Sequence, residues 1–295
     1  MSEPASQPLR ALHHLAVRAA VAAGRFIVEE RPVNLGVADT KTSPTDVVTE
    51  MDRNCEALIR RLLHTTRPDD AILGEEGGGV AGNSGVTWVV DPIDGTVNYL
   101  YQLPAYAVSV AAVVGDPFVP GAWTPVAGAV CNPLLGEVFH ARAGSGARLV
   151  NVDQLDLARD PATQGAVLTC TDPASLLGSL VGTGFGYDAA DRAWQGAFVA
   201  QLLPRVRDIR RVGSAALDLA YLAAARLDGY VEVGLQPWDM AAGWLIVREA
   251  GGQVSGVAGQ PPSARGVVAA GRGIHPELQA LVDELLPPAR AAGAP

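Results

Sequence analysis

Between residues 86 and 141 four short apolar segments follow one another: "VTWVV", "AVSVAAVVG", "VAGAVCNP" and "GEVFHA". Each is rich in valine or aromatic side chains and punctuated by glycine, proline or asparagine. Their short spacing suggests antiparallel hairpins of one sheet. Helical periodicity precedes this meander. Leu12, Leu15, Ala16, Ala19, Ala20, Ala23, Phe26 and Ile27 predict an amphipathic helix over roughly 9–30. Pro44, Thr45 and Asp46 supply stop-and-start chemistry, and Val48, Met51, Cys55, Leu58, Ile59, Leu62 and Leu63 predict a second helix.

After about residue 155 the pattern alternates. "GAVLTC", "DGYVEVG" and "GVVAAG" read as strands, and "DRAWQGAFVAQLLPRV", "SAALDLAYLAAARL", "DMAAGWLIVREAGG" and "HPELQALVDELL" as helices. Two helices, a meander and an alternating half predict an α/β protein with layered sheets and helices between and outside them. A junction near residues 150 to 160 divides the chain into an N-terminal part, 1–155, and a C-terminal part, 156–295, that completes the site. The ends, 1–8 and "PPARAAGAP", read as loose tails.

Composition narrows the function. With 48% hydrophobic and 18% charged residues the chain can build a sizeable core. Its net charge of −9 argues against nucleic acid as a general partner, because phosphate contacts need a basic patch. An anionic substrate would need local positive charge, and a metal cluster can supply it. Cys55, Cys131 and Cys170 form no CxxC pair and are odd in number, so a disulfide framework is not expected and a reducing, cytoplasmic setting fits. No apolar run reads as long enough to span a membrane, and Arg18 and Arg25 break the signal-peptide pattern.

Several acids stand at the ends of elements. Glu75 and Glu76 close a short apolar strand, Asp91 and Asp94 close the next, Asp239 opens a helix, and Asp52 shares a helix face with Thr49. Each has a plainer reading: a solvated loop, an Asx turn, a helix N-cap, an exposed helix residue. Taken together, crowded carboxylates need protons or cations. An all-oxygen set without His or Cys suits Mg²⁺, Mn²⁺ or Ca²⁺ rather than zinc. Pro92, Gly95 and Thr96 shape the same turn so that backbone amides can approach a phosphate. Arg205, Arg207, Arg210 and Arg211 read as a solvated edge strand, with an interface or a rim that steers anions as the alternative, and the five histidines as surface or packing residues.

At these residues the chain resembles the inositol monophosphatase family of lithium-sensitive, metal-dependent sugar phosphatases. "KTSPTDVVTEMD", "GEE", "WVVDPIDGTVNY", "TGFGYD", "GSAALDLAYLAAARLDGYVE" and "PWDMAAG" occur in the family's order and cover nearly the whole chain. The resemblance implies the sugar-phosphatase fold, with alternating α-β-α-β-α layers, and a homodimer. It implies two or three Mg²⁺ ions, with Mn²⁺ able to substitute. Glu75, Asp91 and the Ile93 carbonyl would bind the first, Asp91, Asp94 and Asp239 the second, and Glu75, supported by Asp52, a third. Thr96, held by Asp52, would orient the attacking water, and the amides of Gly95 and Thr96 would bind phosphate. Asp94, Asp239, Ala215 and Glu232 would face the substrate, and Lys41 matches a family lysine near the metal loop. The implied reaction is Mg²⁺-dependent hydrolysis of myo-inositol monophosphate and related polyol or sugar phosphates. The alternatives are phosphatases of fructose 1,6-bisphosphate, histidinol phosphate or 3′-phosphoadenosine 5′-phosphate, or a partner of the transcription machinery. Gly77 departs from the family's frequent Ser or Thr.

Overall fold

A computed structural model describes residues 6–41 and 46–286; Pro44, Thr45 and the two chain ends, 1–5 and 287–295, lie outside the described residues. Helix α1 (Ser6–Glu29) is followed by a short hairpin, β1 (Asp39–Thr40) and β2 (Val47–Val48), and by α2 (Glu50–Thr66). Val48, expected on the second helix, belongs instead to β2, because Thr49 caps α2 and its backbone N–H donates to Asp52 Oδ2 at 2.8 Å.

The valine-rich meander forms the body of an eight-stranded sheet. Its strands are β3 (Ala71–Gly74), β4 (Gly78–Val80), β5 (Val86–Asp94), β6 (Ala107–Gly115), β7 (Trp123–Asn132), β8 (Glu137–Arg142), β9 (Ala147–Asn151) and β10 (Ala166–Val167), in spatial order 10-9-8-7-6-5-3-4. Strands β5 to β9 pair antiparallel in sequence order, as the short spacing suggests, whereas β3 pairs parallel to β5. Of "GAVLTC" only Ala166–Val167 form a strand, and it joins the edge of this sheet.

The alternating half supplies a five-stranded sheet. Its elements are β11 (Leu180–Thr183), β12 (Asp208–Arg210), β13 (Gly229–Glu232), β14 (Gln253–Ser255) and β15 (Val267–Ala270), in order 12-11-13-15-14. Strand β14 carried no sequence signal of its own, being three residues long. The remaining helices are α3 (Thr96–Leu100), α4 (Ala189–Leu202), α5 (Ala215–Ala223), α6 (Pro237–Glu249) and α7 (His275–Leu285). Helices α1 and α2 cover the outer face of the large sheet, α5 and α6 fill the space between the sheets, and α4 and α7 cover the far face of the small sheet. The result is the α-β-α-β-α layering.

Residues 8–29 of α1 are long and apolar enough by composition to cross a membrane, contrary to the expectation above. Leu12, Leu15, Ala16, Ala20, Ala23 and Ile27 are nonetheless buried, packed in the core beneath the sheet. The three cysteines are free.

Two of the histidines take the packing role, while His64 is exposed. His13 on α1 and His140 on β8 are 1% exposed, and their Nε2 and Nδ1 atoms lie 3.1 Å apart. Burial lowers His13 to about 2 and His140 to about 4, so both stay neutral in the fold. The unfolded chain takes up these protons below about pH 6.5 while the fold does not, so this pair removes stability as pH falls through 6.5. At pH 5 each costs about 2 kcal/mol. Urea unfolding of His13→Leu/His140→Leu should lose less stability between pH 7 and 5 than the parent. An unchanged pH dependence would refute the assignment.

Candidate active site

The acids converge through the sheet. Because Gly74 pairs with Val90 across parallel β3 and β5, the next residues, Glu75 and Asp91, lie side by side where β3 ends. Their carboxyl groups are near enough that the Glu75 charge raises Asp91. Asp91 and Asp94, three apart, would face opposite sides of a regular strand. Between them the β5–β6 register slips by one residue, with Asp91 opposite Ser109 and Asp94 opposite Ala107. Pro92 has no N–H for the ladder, and the bulge turns both acids to one side. Asp239 comes from the first turn of α6, where its Oδ2 accepts the Gln236 N–H at 2.7 Å. It is therefore the partner of an N-cap at Gln236 rather than the cap itself. Carboxylate oxygens of Asp91, Asp94 and Asp239 all lie within 4.8 Å of one another.

Each acid is held by fixed donors. Asp94 Oδ2 accepts Ser214 Oγ at 2.7 Å and the Ala216 N–H at 2.6 Å. Asp52, 1% exposed rather than solvated, accepts Thr49 Oγ1 at 2.5 Å and Thr96 Oγ1 at 2.9 Å. Thr96 Oγ1 also lies 3.1 Å from the Ile93 carbonyl. Gly95 sits at φ +98°, a conformation L side chains resist, and lets α3 open immediately beside the cluster. Glu75 and Glu76 lie not in a free loop but against Lys41, whose Nζ is 2.6 Å from each.

Burial and mutual repulsion raise the acids. Glu75 is pushed up to about 7 and Asp94 to about 6, while Asp91 and Asp239 stand well above the usual carboxylate range. Lys41 faces two carboxylates with one charge, so the cluster has a deficit of positive charge. Its donors are all hard oxygens, including the Ile93 carbonyl at the rim. The set fits a hard divalent cation, and Glu75, Asp91, Ile93, Asp94 and Asp239 are the residues that could hold one.

Beside the cluster, Ala215 opens α5 and Glu232 ends β13. The Tyr230 hydroxyl donates to Glu232 Oε2 at 2.5 Å, and burial pushes Glu232 up to about 7. A groove of about 680 Å³ opens here between Tyr101, Phe185, Tyr187, Arg192 and Arg211. Arg211 is exposed just beyond the edge strand β12, as the solvated-edge reading expects. Its guanidinium also lies over the Phe185 ring, 6.0 Å from the centroid, and its charge reaches Asp94 and Glu232. Ser214 and Tyr230 were missed. Ser214 had a readable signal as the polar residue capping "AALDLA", whereas nothing local marked Tyr230.

The model of the inositol monophosphatase family matches residues 9–287. Inositol-1-monophosphatase SuhB of Mycobacterium tuberculosis is 43% identical over 298 residues, which covers 95% of this chain and 96% of that protein. Nus factor SuhB of Escherichia coli is 39% identical over 248 residues, covering 83% of this chain and 85% of that protein. The structure of Mycobacterium tuberculosis SuhB superposes with a TM-score of 0.74 at 40% identity, over 97% of this chain and 98% of the other. An inositol monophosphate-bound IMPase-II of Staphylococcus aureus superposes with a TM-score of 0.70 at 28% identity, over 96% of both chains. The layered fold and the acidic cluster at the end of its large sheet define the class, a metal-dependent phosphatase. Within that class the chain belongs to the inositol monophosphatase family.

Proposed function

We propose that this protein is an Mg²⁺-dependent, cytoplasmic phosphomonoesterase of polyol phosphates, inositol 1-phosphate foremost. The observation that carries the reading is the convergence of Asp91, Asp94 and Asp239 beside the Thr96–Asp52 pair. Glu75, Asp91, the Ile93 carbonyl, Asp94 and Asp239 would hold two or three ions. Bound Mg²⁺ supplies Lewis acidity toward the phosphoryl oxygens and acidifies water. The protein's own groups do the rest. Thr96 donates its hydroxyl proton to Asp52, which leaves its lone pairs free to orient an attacking water. The Gly95 and Thr96 amides face the phosphate as α3 opens. Water oxygen bonds to phosphorus and gives up a proton to solvent, the bond to the alcohol oxygen breaks, and that oxygen takes a proton from a second water, so the protons balance. Tyr230 occupies one oxygen of Glu232, so the other is available to a substrate hydroxyl, with Ala215 packing beside it.

The test is phosphate release from inositol 1-phosphate with and without Mg²⁺, alongside fructose 1,6-bisphosphate, histidinol phosphate and 3′-phosphoadenosine 5′-phosphate. Inositol 1-phosphate should have the highest kcat/KM. Glu232→Gln should raise KM for inositol 1-phosphate about tenfold, the scale of one lost substrate hydrogen bond, and leave a non-polyol ester unaffected. Equal loss on both esters would remove Glu232 from alcohol recognition.

A role with the transcription machinery is the second reading, favoured by the Nus factor name of the Escherichia coli relative. Retention of a protein partner by an inactive Asp94→Asn variant would support it. The homodimer that the resemblance implies predicts a sedimenting mass of twice the chain.

A further inference from the structure

We propose that Glu56, an acid outside the cluster, is the positioning residue that aims Glu75 at the metal site. The inference rests on the metal-site reading above and goes beyond it. Glu75 lies in the turn Glu75–Gly77 between β3 and β4, and β4 is poorly suited to fix that turn. It has three residues, two of them glycine, and is exposed along its whole length. The turn is held from α2 instead. Glu56 is 2% exposed and lies one helical turn beyond Asp52, on the same inward face. Its Oε2 accepts the Glu76 N–H at 2.8 Å, and its Oε1 accepts the Gly77 N–H at 2.8 Å and Arg60 Nε at 2.7 Å. Arg60 then reaches on to the Gly78 carbonyl at 2.5 Å. The chain wraps around this carboxylate so closely that a Cβ on Gly74 would lie 2.5 Å from Glu56 Oε1, and one on Gly77 2.7 Å from it.

This geometry gives "GEEGG" a physical reason. Glycines flank the two acids because a buried carboxylate occupies the space their side chains would take. Gly77, which stands where the family often has Ser or Thr, does not loosen the turn but admits Glu56. With the amides of Glu76 and Gly77 pinned, the Glu75 side chain is directed at Asp91, and that of Glu76 at Lys41. Partners of this kind behind a ligand typically contribute one to two orders of magnitude in metal affinity.

Glu56→Gln keeps the shape but puts an NH₂ where an acceptor is needed, so at least one of the three N–H donors loses its partner. Gly77→Ala keeps Glu56 but drives a methyl group into its carboxylate. The measurement is Mn²⁺ binding to the purified chain by electron paramagnetic resonance, with Mg²⁺ activation curves in parallel. Both variants should bind Mn²⁺ about 10- to 100-fold more weakly. Their Mg²⁺ activation constants should rise in step, and saturating Mg²⁺ should restore most of kcat. A lowered melting temperature with parental Mn²⁺ affinity in either folded variant would make Glu56 a purely structural anchor and overturn the proposal. Glu75→Gln is the control. Parental Mn²⁺ affinity in that variant would sink the metal-site reading itself, whereas parental affinity in the Glu56 and Gly77 variants alone sinks only this inference.

Discussion

Asp94→Asn lowers kcat for phosphate release from inositol 1-phosphate by on the order of 10³-fold, the equivalent of about 4 kcal/mol that a polarising cation supplies to a phosphoryl transition state. The variant separates charge from architecture. Asp94 Oδ2 sits between Ser214 Oγ and the Ala216 N–H, two donors that the Asn carbonyl oxygen can still satisfy. The NH₂ group then faces Asp91 and Asp239, where it repels a cation instead of binding one. The loss should therefore come without unfolding. Burial pushes Asp94 up to about 6, so in metal-free protein at pH 8 the neutral amide should raise the melting temperature. Circular dichroism melts and initial rates on one sample test both halves. Activity within tenfold of the parent would remove Asp94 from the reacting centre.

Adding saturating Mg²⁺ raises the melting temperature by several degrees at pH 8 and by little at pH 5. The sign follows from the acids. Glu75 ionises at about 4.5 in the unfolded chain and at about 7 in the fold, so the fold holds the extra proton between those values. Metal-free protein therefore loses stability as pH rises from about 4.5 through 7, by about 3 kcal/mol for Glu75 alone. Asp91, Asp94 and Asp239 are raised as well and act in the same direction. Mg²⁺ competes with these protons, so it relieves most repulsion where most carboxylates are ionised. Ligand at a hundred times its dissociation constant contributes about 2.7 kcal/mol. The His13–His140 pair has the opposite pH dependence, but it is common to both forms and cancels in the difference. Calorimetry from pH 5 to 8 with and without Mg²⁺ measures it, and a metal increment independent of pH would refute the protonated cluster.

Much of this was legible in the chain. Helix α1 announced itself through Leu12, Leu15, Ala16 and Ala19, because 3.6-residue periodicity needs only local spacing. The β6–β9 hairpins followed from short connections, whereas the longer β5–β6 connection carries α3. Where elements were short the signal failed. Strand β14 has three residues, and "GAVLTC" gave two residues to the large sheet where a longer strand was expected. Propensity over so few positions is outweighed by whatever neighbour offers free hydrogen-bonding groups.

The candidate site divides the same way. Its acids could be named from "GEE", "DPIDGT" and "PWD", since each motif is a few consecutive residues at the end of an element. Which way those acids point was decided by pairing partners far along the chain. The β5–β6 bulge set Asp91 and Asp94 to one side, and the parallel register of β3 on β5 set Glu75 beside them. Arg211 over Phe185, Tyr230 beneath Glu232, Glu56 under the Glu75 turn and His13 against His140 left no trace in sequence spacing. The sequence by itself determined the elements and the chemistry of the donor set, because periodicity and side-chain type are local properties. Only the tertiary structure decided which donors meet and how strongly each is perturbed, because distance, burial and field arise when segments remote in the chain pack together.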